Sequence, residues 1–401
     1  MRSIQYGLPS LYFLASLLLM PFDSAGQVLH SPERALNGPR VIQVGPQRQI
    51  KTLAQASRQV KDGDTLEVDA GDYLGDVAVW SKNRLTLRAI GGRARLLAKG
   101  AAAEGKGIWV VRAQELSVEG FEFSGATAPD HNGAGIRFEQ GSLTVRDCVF
   151  VNNENGILTS NNAELVLRIE NSEFSHNGYG DGFTHHLYAG SIARLSVSGS
   201  YFHHARVGHL LKSRAAVNHI FYNRLTDETG GQASYELEFA NGGIAYVVGN
   251  IIQQGSQTEN PTIVSYGAED YKWPGNELYL INNTLVDNRP QGGVFLRVKP
   301  GKVLVRALNN LLVGKGTLDS AAPGDYRNNI SVDWDQFALA AREDYRLKRD
   351  SKLLGSEVDA GSAHGQNLRP QMEYVHPHQT IRLAEPARHP GALQSTAPSH
   401  D

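Results

Sequence analysis

The residues best suited to chemistry crowd into one stretch, DGFTHHLYAGSIARLSVSGSYFHHARVGHLLKSRAAVNHIFYNR (181–224). It holds six of the chain's 14 histidines, namely His185, His186, His203, His204, His209 and His219. Five basic residues, Arg194, Arg206, Lys212, Arg214 and Arg224, stand against the single acid Asp181, so this segment carries +4 in a chain of formal net charge −2. Cations, imidazoles and phenols at that density suit proton transfer beside an anionic group. β-Elimination at a uronic acid is such a reaction: it needs the carboxylate neutralised, a base for the C5 proton and an acid for the O4 leaving group. Arg214 or Lys212 would neutralise, as would a metal held by Glu236 and Glu238. The candidate bases and acids are His209, His186, Lys212 with a depressed pKa, Tyr188 and Tyr235. Arg206, Asn241, Tyr266 and Glu269 are expected to bind substrate, with Tyr266 as a sugar-stacking platform. Zinc is not expected, because adjacent histidines point to opposite faces of a strand, unlike the i, i+4 pairs of helical zinc sites.

These groups lie far apart in sequence, so a repeat must gather them. A six-residue pattern recurs: VEGFEF (118–123), VRDCVF (145–150), IENSEF (169–174), VSGSYF (197–202), IFYNRL (220–225), VVGNII (247–252), LINNTL (280–285) and ALNNLL (307–312). Its last positions, Phe123, Phe150, Phe174, Phe202, Leu225, Ile252, Leu285 and Leu312, are spaced by 27, 24, 28, 23, 27, 33 and 27 residues. A second strand pattern follows in most repeats: GIRF (135–138), GILTS (156–160), HLYA (186–189), HLLK (209–212), YELEF (235–239), TIVSY (262–266) and GVFLR (293–297). Each repeat is too short for a strand plus a crossover helix. Coiling the chain so that equivalent strands stack in parallel, about 4.8 Å apart, buries every apolar position. Asn223, Asn250, Asn283 and Asn310 then share one register position, where their amides can bond up the coil. Cys148 falls in a buried strand position.

Stacking also brings His186 and Tyr188 beside His209 and Lys212, with Tyr235, Glu236 and Glu238 on the next coil. Strand alternation puts Glu236 and Glu238 on one face and Tyr235 and Leu237 on the other. The product is a groove lined by cations, phenols and carboxylates, which suits an extended anionic chain.

With this period and these strands, the sequence resembles the right-handed parallel β-helix proteins of the pectin-lyase-like superfamily, over most of its length. The fold class implied is all-β, a single right-handed parallel β-helix solenoid over 27–361. QIKTLAQASRQVKDGDTLEVDAGDY (49–73) resembles the short capping helix, strand and turn that open such coils, with Ile50, Leu53, Ala54 and Val60 on its apolar side. DYRLKRDSKLLGSEVDAG (344–361) resembles their closing segment. The resemblance implies a lyase acting on an acidic polysaccharide, and Glu236-Leu237-Glu238 is similar to the Glu-x-Glu pair that some members use to bind calcium. No lysine follows that pair at short distance, and the Asp-Pro-His-Asp element of the alginate C5-epimerases is absent. A glycoside hydrolase using Glu236 and Glu238, a C5-epimerase and a non-catalytic glycan-binding protein are the alternatives.

Bulk composition narrows the partners. The near-balance of 39 basic and 41 acidic residues argues against binding nucleic acid or a membrane surface by bulk charge. Hydrophobic residues at 41% support a large core, and one cysteine excludes an intrachain disulfide. Arg2, the apolar run Leu11–Met20 and the small residues Ser24-Ala25-Gly26 read as a Sec-type signal over 1–26, too short to span a bilayer. The mature chain is expected to be periplasmic or secreted and monomeric, without membrane insertion. Residues 362–401, rich in Pro, His, Ser and Gln, are expected to form a loose tail.

Overall fold

The computed structural model describes residues 40–396, so the expected signal at 1–26 lies outside the described residues. The chain winds as a parallel β-helix. Each full coil contributes one strand to each of three parallel faces. The first face includes Glu115–Glu119, Ser142–Arg146, Val166–Glu170, Arg194–Ser198, Val217–Phe221 and Ile244–Val248. The second includes Phe121–Ser124, Val149–Val151, Glu173–Ser175, Tyr201–His203, Arg224–Thr226 and Ile251–Gln254. The third is a ten-stranded sheet that contains Ala134–Phe138, Asn155–Thr159, Leu187–Ala189, Gly208–Ser213, Ala233–Phe239, Thr262–Tyr266 and Val294–Val298.

The apolar period sets this register. Phe123, Phe150, Phe174, Phe202, Leu225, Ile252, Leu285 and Leu312 pair in sequence across seven consecutive ladders. The phenylalanine rings stack face to face inside the coil, with centroids 4.9, 4.7 and 4.5 Å apart from Phe123 through Phe202. Each sequence hexad is divided in the structure. Its first residues end a strand of the first face, and its last residues start a strand of the second, across a sharp corner. That corner needs one left-handed residue per coil, met by Asn171, Tyr222, Asn282 and Asn309, and by glycine at Gly249, where φ is +68°.

The asparagine ladder sits just after this corner. Asn250 Oδ1 accepts from Asn223 N and Nδ2 at 2.8 and 3.0 Å, and Asn283 Oδ1 serves Asn250 in the same way at 2.9 and 3.0 Å. Asn310 and Asn329 continue the series. Every Nδ2 also donates to a main-chain carbonyl on the coil before, as Asn250 does to Ile220 O at 2.8 Å. Asn250→Ala removes acceptors for two buried donors at once. An orphaned buried group costs about 1–3 kcal/mol, so the expected loss is about 3 kcal/mol or more, read as a lowered denaturant midpoint at unchanged slope.

The N-terminal end is closed as the sequence suggests. Leu53–Ser57 is a short helix capped by Thr52 Oγ1, with Leu53 and Ala56 buried against the first coil. Asp76 accepts from Leu53 N and Ala54 N at 2.6 and 2.8 Å, tying the cap to the coil. Cys148 is fully buried, and burial pushes its thiol up to about 12. The C-terminal expectation needs correction. Residues 362–396 are not a loose tail but pack along the coil: Tyr374 and Ala392 join a buried cluster with Ile251, Val286 and Leu311. Gly391 N donates to Asn309 O and Asn282 Nδ2 to His389 O, so the segment satisfies polar groups that the coil corners leave open. No helix among the described residues is long and apolar enough to cross a membrane.

Candidate functional site

Parallel stacking on the third sheet places Tyr188, Lys212 and Glu238 in direct register on three successive coils. All three face outward, because their neighbours Leu187, Leu211 and Leu237 fill the core. Lys212 Nζ lies 3.1 Å from Glu238 Oε2 and donates to Glu269 Oε1 at 2.9 Å. Arg214 grips the other oxygen of Glu269 through Nε at 2.9 Å and Nη2 at 2.5 Å. Its guanidinium also sits 5.0 Å over the Tyr188 ring, and Trp273 Nε1 steadies its carbonyl at 2.9 Å. His209 pairs with Tyr235 in the ladder, the rings 4.9 Å apart. Two carboxylates thus balance two cations within one connected row.

The proton states follow from these contacts. His209 Nε2 lies 2.9 Å from Glu238 Oε2, and a carboxylate can only accept, so Nε2 carries the proton. Nδ1 is then a bare lone pair, buried and without a hydrogen-bond partner among the described residues. Burial lowers the His209 pKa despite the carboxylate, so the ring is neutral. Glu238 is opposed by burial, but the His209 hydrogen bond and the Lys212 charge hold it below the usual carboxylate range. Burial likewise works against the Lys212 ammonium, yet Glu238 and Glu269 outweigh it and raise its pKa. Lys212 is therefore a fixed cation, which corrects its expected alternative role as a base with depressed pKa.

Several expected site residues are elsewhere. His186 is not in the groove: it is fully buried, Asn177 Nδ2 donates to its Nδ1 at 3.0 Å, and its Nε2 donates to His203 O at 2.8 Å. Burial drives its pKa down to about 3. Its neighbour His185 takes the outer place, accepting from His209 N at Nδ1 (3.0 Å), with its ring 4.5 Å from His209 and 5.5 Å from Tyr188. The strand begins only at Leu187, so alternation does not extend back to the histidine pair. The His-His doublet was the sequence signal for His185, but it does not say which ring faces out.

Glu236 is the second correction. The ladder slips by one residue where Gly208 and His209 face Ala233 and Tyr235, making Ser234 a bulge. Tyr235 is thereby turned outward, while Glu236 takes the register position of the buried residues Leu210 and Ile263. Glu236 has no exposed surface, and neither carboxyl oxygen has a hydrogen-bond partner among the described residues. Burial, reinforced by the carboxyls of Asp227 and Asp287, raises its pKa well above the carboxylate range. Glu236 and Glu238 therefore cannot share a calcium ion, which takes six to eight oxygens. No group of three acidic, histidine or cysteine side chains among the described residues is placed to hold a metal. The donor set does not fit calcium as the sequence suggested.

Tyr266 is no platform either: it is buried, pairs with Phe239 in the ladder and donates to Gly243 O. Asn241 is buried under the turn that carries Glu269, donating to Glu269 O at 3.2 Å and Asp270 O at 3.4 Å, so it braces that turn. Arg206 is exposed at the corner before the third sheet and donates to Asn152 Oδ1 at 2.7 Å. A cleft of about 610 Å³ lies away from this row, between the second face and the C-terminal segment. Its charges are spent on one another, since Arg224 bonds Glu343 and Glu228 while Glu228 accepts from Tyr201 OH at 2.6 Å. It reads as the clamp that holds the C-terminal segment.

No family model and no curated protein matches the chain. Among solved structures it is similar to the crystal structure of pectate lyase Pel9A, at 13% identity and a TM-score of 0.53, over 82% of this chain and 94% of that one. This likeness shows the parallel β-helix fold.

Proposed function

We propose that the chain is an exported polysaccharide lyase that cleaves an acidic, uronate-containing polysaccharide by β-elimination on the outward face of the third sheet. The observation that carries the reading is the Lys212–Arg214 cation pair, held beside a neutral histidine whose free nitrogen is unpartnered. Similarity to a pectate lyase supports the same chemistry. In this reading Arg214 and Lys212 bind the uronate carboxylate, Arg214 by its bidentate fork, and stabilise the charge that spreads onto it. His209 Nδ1 takes the C5 proton and Glu238 balances the imidazolium through Nε2. The C4–O4 bond breaks, a C4–C5 double bond forms, and Tyr188 protonates the leaving oxygen. Nδ1 is buried in the free protein, with the His185 and Tyr235 rings 4.5 and 4.9 Å from the His209 ring, so one of these neighbours must move as substrate enters.

The test is incubation of the purified mature chain with polygalacturonate, alginate and a glucuronate-rich glycan, with and without chelator. Unsaturated ends, seen by ultraviolet absorbance, are expected. New reducing ends without unsaturation would instead mean a hydrolase, and an altered uronate configuration with no cleavage would mean an epimerase.

Glu269 carries a prediction of its own. Its carboxylate, whose side chain is 40% exposed, already occupies the place on Lys212 and Arg214 where a uronate carboxylate would bind. Such a half-exposed contact is worth up to about 1 kcal/mol. Glu269→Gln is therefore expected to lower KM for the polysaccharide by about fivefold at low salt, an effect that added salt erases.

A further inference from the structure

The loop before the candidate site exposes apolar rings that packing does not explain. Phe183 is 82% exposed and Tyr179 is 52% exposed, on one loop of sequence GYGDGF. Exposed apolar side chains gathered on one loop and rimmed by polar groups mark an interaction site. The loop is nevertheless held in place. Gly178 N donates to Asn153 O at 2.9 Å, Tyr179 N to the buried Thr184 Oγ1 at 2.7 Å, and Phe183 N to Asp181 Oδ1 at 2.9 Å. Gly178 lies so close to Arg206 that a Cβ would come 2.4 Å from its carbonyl oxygen.

The Tyr179 ring is backed by a second ring. His131 stacks on it with centroids 3.8 Å apart and planes 16° from parallel. His131 is in turn held 3.7 Å from Glu154, which accepts from Ala128 N and Gly133 N at 2.9 and 2.6 Å. Two separate loops thus cooperate to present one flat face. Phe183 lies two residues before His185, whose ring touches those of His209 and Tyr188. Val207, two residues before His209, is a β-branched residue in the left-handed region at φ +44°, a strained backbone at the same edge of the site.

We propose that Phe183 and Tyr179 form a sugar-stacking subsite at the entrance to the third-sheet groove, taking the apolar C–H face of a pyranose ring of the same polysaccharide. The inference rests on the groove reading above, since continuity with that groove is what names the occupant. A flat aromatic face binds rings of either charge, so this subsite holds the chain while Lys212 and Arg214 select the uronate.

Phe183→Ala and Tyr179→Ala are expected to raise KM about tenfold each with kcat within about twofold, the scale of one lost stacking contact and its buried area. Phe183→Trp restores the wild-type KM, because only a flat ring is needed. Unchanged KM in both alanine variants overturns the subsite while leaving the lyase reading intact. Retardation of the wild-type chain in gels containing each polysaccharide gives the second readout. Retardation that Phe183→Ala abolishes, without any unsaturated ends, supports the subsite and defeats the lyase reading. Absence of retardation by every polysaccharide overturns the subsite.

Discussion

His209→Gln is expected to lower turnover of the uronate polysaccharide by about 10³-fold, within the range that a positioned general base supplies. Glutamine keeps an amide donor for Glu238 but has no basic nitrogen, so the coil should retain its circular dichroism and melting behaviour. The pH profile separates chemistry from packing. Since burial lowers the His209 pKa below its ordinary 6.5, the base form persists through neutral pH, and the acid limb of kcat/KM should fall below that value. Glu238 acts through His209 and is a positioning residue. Glu238→Gln should shift that acid limb further down, because it removes the carboxylate that favours the imidazolium. Full activity in His209→Gln, or an acid limb unmoved in Glu238→Gln, would remove this dyad from the mechanism.

The second large effect concerns stability. Glu236 is a glutamate in a column of apolar residues, without a hydrogen-bond partner among the described residues and with its pKa raised by burial. An unfolded chain loses this proton near pH 4.3, whereas the folded chain keeps it. The contribution of such a group is complete below the unfolded pKa and is lost as pH rises toward the folded one, at up to about 1.4 kcal/mol per pH unit. Glu236→Leu places there the residue that the preceding coil carries, Leu210, and removes the titration. The variant should exceed the wild type at pH 8 by about 2–4 kcal/mol more than at pH 5, read from denaturant midpoints at both values. Asp227, raised to about 7 mainly by burial, titrates with the same sign in both proteins and cancels in the comparison. Parallel stability curves for variant and wild type would show that Glu236 is solvated after all. Breaking the buried column is not the risk here, since leucine restores its apolar character.

Glu238, which orients His209, and Glu236 lie two residues apart on one strand with opposite fates. Glu238 meets Lys212 and His209 on the outer face, while Glu236 meets neither. The bulge at Ser234 precedes both, and the ladder is regular from Tyr235 to Phe239, so they part within one continuous stretch of strand. The bulge leaves the rest of the strand paired on both sides.

The repeat was legible in the chain by itself because it is a summed signal: eight large apolar residues about 27 positions apart have only one way to be buried together, and their observed pairing follows it. The asparagine ladder and the meeting of Tyr188 with Lys212 came with that period, since register carries every strand position along with the core. Which side each residue faces was settled only by the tertiary structure. Alternation ends at a strand's first residue, which leaves His185 against His186 open, and Glu236 and Glu238 part within one regular stretch of ladder by the partners each meets. Charge state was hidden for a related reason. Lys212 is kept protonated partly by Glu269, 57 residues away, and the course of the C-terminal segment depends on polar groups that the finished corners expose. Both depend on distances between coils, which no local spacing contains.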